Sequence, residues 1–336
     1  MMKYLIEYGL GIIFVGIISI IAAWLGNIFP LIGGPVIGIL MGIFISNTLG
    51  KPLKGRKGIL FTSKKVLQWS IVLLGSSLSF THILATGIES LSIMLFTLAA
   101  AFLAAYGLGY IMGIPYKLTT LIGVGTAICG GSAIAAISPI IDADESDIAY
   151  AISTIFLFNI LAVLIFPPLG HLLNFSNEAF GIWAGTAIND TSSVVAAGYA
   201  FSNEAGTNAV IVKLTRTTMI IPIAFVYSLL QIYKRKKTSV SDMPEFKKVF
   251  PWFILWFLGA SALNTFGLLD EQFIIFSKQA AKFMIIMALT AIGLNADLKK
   301  MFKTGTRPLI LGLLIWLTVT LTSIIVLLIS KQLVFV

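Results

Sequence analysis

The sequence predicts an all-α polytopic membrane protein, a single transmembrane domain over residues 1–336, and three observations carry that class. The chain is 58% hydrophobic and 11% charged, with a mean hydropathy of +0.99, far outside the range of soluble globular proteins. About eleven stretches are long and apolar enough to cross a hydrocarbon core of about 30 Å as helices. The cations gather in three connecting loops rather than along one face, so a net charge of +9 reads as topology and not as a nucleic-acid surface.

Taken in order, segment 1 spans roughly 5–25 and is too long and too poorly flanked for a cleavable signal peptide, so it is expected to be retained. Segments 2, 3 and 4 follow at roughly 31–48, 66–85 and 90–112. Segment 5, roughly 117–140, has Lys117 at its inner end, placed to snorkel. Segment 6, roughly 148–170, holds Asn159 before Pro167-Pro168, where the amide is expected to bridge a helix break. Segments 7 and 8 span roughly 178–200 and 207–231, and segment 9 spans roughly 250–266. Segment 10, roughly 280–295, has Lys278 and Lys282 at its outer end, and segment 11 spans roughly 307–330.

Loop 2/3 carries Lys51, Lys54, Arg56, Lys57, Lys64 and Lys65, and loop 8/9 carries Lys234, Arg235, Lys236, Lys237, Lys247 and Lys248. Loop 10/11 carries Lys299, Lys300, Lys303 and Arg307. All three fall on one side if each segment crosses once. The positive-inside rule makes that side cytoplasmic, with the N-terminus inside and the C-terminus outside the cell membrane.

Segments 2–4 repeat as segments 9–11. Asn47-Thr48-Leu49-Gly50 matches Asn264-Thr265-Phe266-Gly267; about thirty residues later Leu78, after a small-residue apolar run, matches Leu294, and Thr86-Gly87, before the next span, matches Thr304-Gly305. The loop expected at Thr86-Gly87 has no Lys or Arg, whereas its counterpart is crowded with them, as inverted copies over about 31–112 and 250–330 require.

Between the copies, in a core of about 117–231, residues 125–132 and 185–192 read GTAICGGS and GTAINDTS. These are two near-copies of one polar octet, where hydrocarbon offers no hydrogen-bond partners. Such residues fit only where irregular backbone lines a protein-enclosed cavity, so segments 5 and 7 are expected to be discontinuous spans or re-entrant hairpins. Gly123, Gly125, Gly130 and Gly131 each weaken a helix by roughly 1 kcal/mol relative to alanine, and an opened turn frees backbone donors and carbonyls. Thr126 and Ser132 in the first octet, with Asn189, Thr191 and Ser192 in the second, complete a substrate-binding set. Close helix packing through small residues is the bland alternative.

Asp190 lies about twelve residues from either end of segment 7, where an unpaired carboxylate costs about 3 kcal/mol or more. It is the expected coupling residue, binding a proton or helping Asn189 and Thr191 to ligate sodium. Lys213 and Arg216, from KLTRTT in segment 8, share one helical face with Thr217 alongside and are its expected partners. Arg216 is roughly 14 Å deep at 1.5 Å per residue, where a guanidinium suits bidentate capture of an oxyanion. Neutralising Asp190 is the alternative role for Arg216.

The acidic residues Asp142, Asp144, Glu145 and Asp147 read as a solvated loop, and the lone Cys129 as a packing residue. His82 and His171 are too far apart in sequence for a metal cluster. No Walker motif, nucleophile elbow or HExxH appears, so neither an ATP-driven pump, an enzyme nor a cofactor is expected.

The octets, KLTR at 213–216 and AIGLNADL at 291–298 resemble the conserved hypothetical membrane proteins often labelled sulfate exporters, over nearly the whole chain. That family is grouped with the sodium/proton antiporter and bile-acid symporter superfamily, which implies inverted repeats and crossed, unwound helices. Residues 126–138 and 187–198 are similar to small-residue motifs of the bile-acid symporters. The paired-aspartate motif of sodium/proton exchange is absent.

The expected function is a secondary transporter moving a small oxyanion, sulfate or a sulfonate, by alternating access, coupled to protons or sodium. Expected partners are that anion, the coupling ion and membrane lipid, with a homodimer as one option and no nucleic acid. The alternatives are a passive anion channel or pore, and a cation/proton antiporter in which Arg216 is only a counter-charge.

Overall fold

The computed structural model describes residues 2–29, 33–48, 55–235, 252–297 and 305–330. Among them the elements are helices. In chain order they are α1 (Met2–Ile28), α2 (Gly33–Thr48), α3 (Arg56–Phe61), a π-helical stretch (Thr62–Val66), α4 (Leu67–Gly75), α5 (Phe80–Ile111), α6 (Tyr116–Ala127), α7 (Gly131–Ile137) and α8 (Glu145–Leu172). There follow α9 (Asn177–Ala187), α10 (Thr191–Phe201), α11 (Asn203–Thr217), α12 (Ile220–Arg235), α13 (Phe253–Thr265), α14 (Glu271–Asn295) and α15 (Thr306–Ile329). Six helical stretches have the length and apolarity to cross a membrane: Glu7–Ile28, Phe80–Ile111, Glu145–Leu172, Asn203–Gln231, Glu271–Asn295 and Thr306–Ile329. Gly33–Thr48 and Phe253–Thr265 are shorter apolar helices. Large apolar side chains such as Ile88, Phe96 and Leu103 on α5 stand exposed, which suits lipid and not water.

Several boundaries differ from the sequence reading. Thr86 and Gly87 are buried inside the continuous helix α5 rather than in a loop; the chain turns earlier, at 76–79, where Ser79 caps α5 by accepting from the His82 N–H. Thr86-Gly87 is thus no structural counterpart of the cap position Gly305. Segment 6 has no break: α8 runs through Pro167 and Pro168. Helix α14 begins at Glu271, so Lys278 and Lys282 lie in its second to fourth turns and not at its end. Segments 5 and 7 do divide, at 128–130 and 188–190. The loop residues Lys51, Lys54, Lys236, Lys237, Lys247, Lys248, Lys299, Lys300 and Lys303, and the repeat markers Leu49, Gly50 and Thr304, lie outside the described residues.

Packing is reciprocal between the two stretches whose sequences match. Helix α2 lies along α14, and α13 lies along α4. The Ser46 hydroxyl and the Asn47 amide donate to the Ala296 carbonyl beyond the end of α14, at 2.9 and 3.4 Å. At the second seam the Ser261 hydroxyl and the Asn264 amide donate to the Leu78 carbonyl beyond the end of α4, at 2.9 and 3.2 Å. Asn47 and Asn264 are the residues matched in sequence, and each relieves carbonyls that a helix end leaves without an internal partner. Helices α5 and α15 also pack together; α5 contacts α11 while α15 contacts α8, and each touches both α6 and α9.

The α2–α14 seam is close because Gly34, Gly38 and Gly42 recur every fourth residue along one face of α2, a small-residue stripe that lets backbones approach. A Cβ on Gly42 would strike the Thr290 carbonyl and come within 2.7 Å of the Leu294 nitrogen. Gly42→Val should therefore force the helices apart and cost about 1–3 kcal/mol. Thermal unfolding in detergent checks this against Gly107→Ala, whose Cβ would meet nothing within 4 Å and which should unfold at or above the wild-type temperature.

Candidate functional site

The two octets break their helices in the same register. Helix α6 ends at Ala127 and α9 at Ala187, equivalent positions of GTAI, and the chain leaves helical geometry at Ile128 (φ −117°, ψ −86°) and Ile188 (φ −87°, ψ 134°). The ways out differ. At the first break Gly130 takes φ +67°, a left-handed value that glycine adopts without strain, and its N–H reaches the Gly125 carbonyl at 2.8 Å. At the second, Asp190 is the N-cap of α10: its carboxylate accepts from the Ser192 N–H at 3.0 Å and from the Ser192 hydroxyl. The breaks touch, since a Cβ on Gly130 would lie 3.4 Å from Asp190 Cβ.

Lys213 and Arg216 meet both breaks, and this is where the structure corrects the sequence reading. Each is 0% exposed. Lys213 Nζ donates to the Ile128 and Ile188 carbonyls, 2.8 Å each. Arg216 Nε donates to the Ala127 carbonyl at 2.6 Å, Nη2 to the Thr126 carbonyl at 3.2 Å and Nη1 to the Thr186 carbonyl. The two side chains, three residues apart on one face of α11, thus hold equivalent carbonyls of the two octets. No ion pair joins either of them to Asp190; the ion pairs among the described residues include Lys57–Glu7 and Lys117–Asp144, at 2.9 and 3.8 Å. Helix C-termini draw the cations because each carries about half a negative charge on its free carbonyls. Two cations against two such ends leave about one positive charge in excess, and Asp190 is the acid beside it.

The other expected residues fall as follows. Gly125 and Thr126 are buried, and the Thr126 hydroxyl turns back to the Ile122 carbonyl at 2.9 Å, so its carbonyl and not its side chain enters the site. Gly131 and Thr191 are half-buried first residues of α7 and α10, and Ser132 is exposed. The Thr217 hydroxyl donates to the Lys213 carbonyl at 2.8 Å. Asp190 is half-buried rather than sealed. Asn189 is 1% exposed, with neither amide atom hydrogen bonded.

Asn159 is the residue whose place sequence reasoning missed. It bridges no break in its own helix; its Oδ1 accepts from the Asp190 N–H at 3.1 Å, while Nδ2 is buried without a partner. An uncharged amide mid-way along an apolar segment was the only signal available. Among the described residues no group of three or more His, Cys, Asp or Glu is placed to hold a metal.

The family described as conserved hypothetical protein 698 matches residues 10–312. A UPF0324 membrane protein of Clostridium tetani is 44% identical over 338 residues, covering 97% of this chain and 98% of its own length. Relatives of the same name from Fusobacterium nucleatum and Streptococcus pyogenes are 46% and 45% identical, each covering 94% of this chain and 96% and 95% of their own lengths.

Removing a cap leaves carbonyls stranded. Lys213→Met is expected to cost about 2–6 kcal/mol, at one to three for each orphaned group. Lys117→Met, which breaks a part-exposed pair, should cost about 0–1 kcal/mol. Paired thermal unfolding curves in detergent check the contrast.

Proposed function

Since the chain belongs to the family of conserved hypothetical protein 698, shared with the UPF0324 membrane proteins, we propose that it is a secondary transporter moving a small oxyanion across the cell membrane by alternating access. The observation that carries this is the pair of fully buried cations held by the ends of the two broken helices and not by an ion pair. Two cations against two helix ends leave about one positive charge that Asp190 alone offsets, and once Asp190 is neutralised an enclosed site of that kind favours an anion of matching charge. Sulfate or a sulfonate is the substrate that fits, and Asp190, half-buried at the edge of that charge, is the coupling group.

The reciprocal helix contacts support an inverted repeat, with copies at about 31–112 and 250–330 flanking a core of about 117–231. That relation gives a transporter two exchangeable states around one site. The sidedness proposed with it is a cytoplasmic N-terminus and an external C-terminus, from the basic loops. Nothing in the reading calls for catalysis or a cofactor.

One observation favours a second reading: all three guanidinium nitrogens of Arg216 already donate to carbonyls, as a fixed counter-charge would. In that case the transported species are cations, exchanged at Asp190. Reconstitution separates the two. On the oxyanion reading, proteoliposomes accumulate labelled sulfate under an imposed proton or sodium gradient. Asp190→Asn should abolish gradient-driven accumulation, while Arg216→Lys should lower uptake about tenfold or more, as expected for a lost charged hydrogen bond. Sodium/proton exchange without movement of any oxyanion would establish the second reading, and Asp190→Asn vesicles that accumulate sulfate like wild type would remove Asp190 from coupling.

A further inference from the structure

We infer that Asn159 and Asn189 are ligand residues, a pair of buried amides beside Asp190 that binds a small oxyanion together with one proton. The inference rests on the oxyanion reading above and specifies which groups hold the anion.

The cations spend most of their donors on the clasp: Lys213 two of its three and Arg216 three of its five, with every nitrogen engaged, and each of those contacts holds a helix end in place. The buried side-chain atoms without any partner beside Asp190 belong to Asn189, next to it in the chain, and to Asn159, bonded to its N–H. Asn189 has no hydrogen bond at either amide atom. Asn159 is 2% exposed, and its Oδ1 is anchored on the Asp190 N–H, which fixes the amide plane and leaves Nδ2 as a buried donor without an acceptor. Buried amides that serve only packing are normally satisfied, and an apolar side chain of similar shape costs less than an unsatisfied one. Two amides with unpartnered buried atoms, from different elements, α8 and the α9/α10 break, converge on one residue, Asp190, Asn159 through its backbone N–H and Asn189 as its chain neighbour, and form a preformed set of contacts for something that enters.

Their chemistry narrows what enters. Asn159 Nδ2 and Asn189 Nδ2 are donors at the N-terminal end of α10, where partial positive charge favours an anion. Asn189 Oδ1 and the Asp190 carboxylate are acceptors, so the ligand has to present a hydrogen to them. An oxyanion with one proton, shared between a ligand oxygen and Asp190, satisfies both sets. A bare cation would meet Asn159 Nδ2 and two fixed positive charges. The titratable and charged groups near Asp190 are Lys213 and Arg216 on α11 and Cys129 at the α6/α7 break. Of the other helices packed on α10, α2 carries no charged residue, α8 carries Glu145, Asp147 and His171 and α9 carries Glu178, each twelve or more residues along its chain segment from Asn159 or Asp190, and α14 carries Glu271, Lys278 and Lys282 in its first four turns. Binding should therefore tighten as the pH falls.

The test is thermal unfolding of purified full-length protein titrated with sodium sulfate against sodium chloride, at acidic and at neutral pH, in wild type, Asn189→Leu and Asn159→Asp. Asn189→Leu removes an amide with no hydrogen bond, and Asn159→Asp keeps the acceptor for the Asp190 N–H but loses the donor. Wild type should be stabilised by sulfate, more so at acidic pH. Asn189→Leu should unfold, without sulfate, at or above the wild-type temperature, and its sulfate affinity should fall about tenfold or more, the loss expected for a hydrogen bond to a charged group. Asn159→Asp should lose the response by a similar factor, and it supplies an independent arm should the leucine variant fail to fold. A wild-type sulfate response that survives both substitutions overturns the amide assignment alone. Stabilisation by sodium regardless of its anion, lost in Asn189→Leu, assigns the amides to a cation instead. No response of wild type to sulfate or any other oxyanion overturns the oxyanion reading and this inference together.

Discussion

Two positive charges buried among carbonyl groups organise this protein. A lysine and an arginine cannot lie in an apolar interior unless partners replace water, and here the partners are backbone, not acids. The ends of α6 and α9 have the reverse need, free carbonyls with no helical donor. Each solves the other's problem. The consequence is structural as well as electrostatic: breaking both octets at the same residue makes equivalent carbonyls available to one pair of side chains, so α11 becomes the clasp between two halves.

That clasp explains the arrangement around it. Helices α5 and α15 each touch both broken helices, and the seams α2–α14 and α4–α13 are tied by serine and asparagine side chains that cap the carbonyls beyond the facing helix. The same device thus recurs at three places: helix ends inside the bundle are relieved by side chains from a neighbouring element instead of by solvent. In hydrocarbon there is no alternative source of donors. The glycine stripe on α2 serves the same end, bringing backbone close enough for short polar side chains to reach across.

Much of this was legible from residue order. The octets stood out because polar, glycine-rich stretches have no business in apolar segments, and an interruption of segments 5 and 7 within 125–132 and 185–192 follows from that; the structure sets it at 128–130 and 188–190. Lys213 and Arg216 were singled out by their shared helical face and, for Arg216, by depth, as partners for Asp190. What misled was the assumption that a buried cation seeks a nearby carboxylate. Carbonyl partners leave no mark in a sequence, since every residue has one. Thr86-Gly87 misled for a similar reason: a small polar pair reads as a turn, yet inside a membrane helix a threonine hydroxyl is easily satisfied by its own backbone and a glycine admits a neighbour.

Sequence by itself therefore determined the membrane class, the two broken helices and the identity of the charged residues, because composition and local pattern are enough to say where polarity is out of place. Only the tertiary structure decided who satisfies whom. That Lys213 holds Ile128 and Ile188, that Asn159 reaches from α8 to the Asp190 N–H, and that Asn189 is left bare all depend on which helix ends meet in space. Hydrogen bonds to backbone carbonyls are set by geometry and not by residue type, so no reading along the chain could have assigned them.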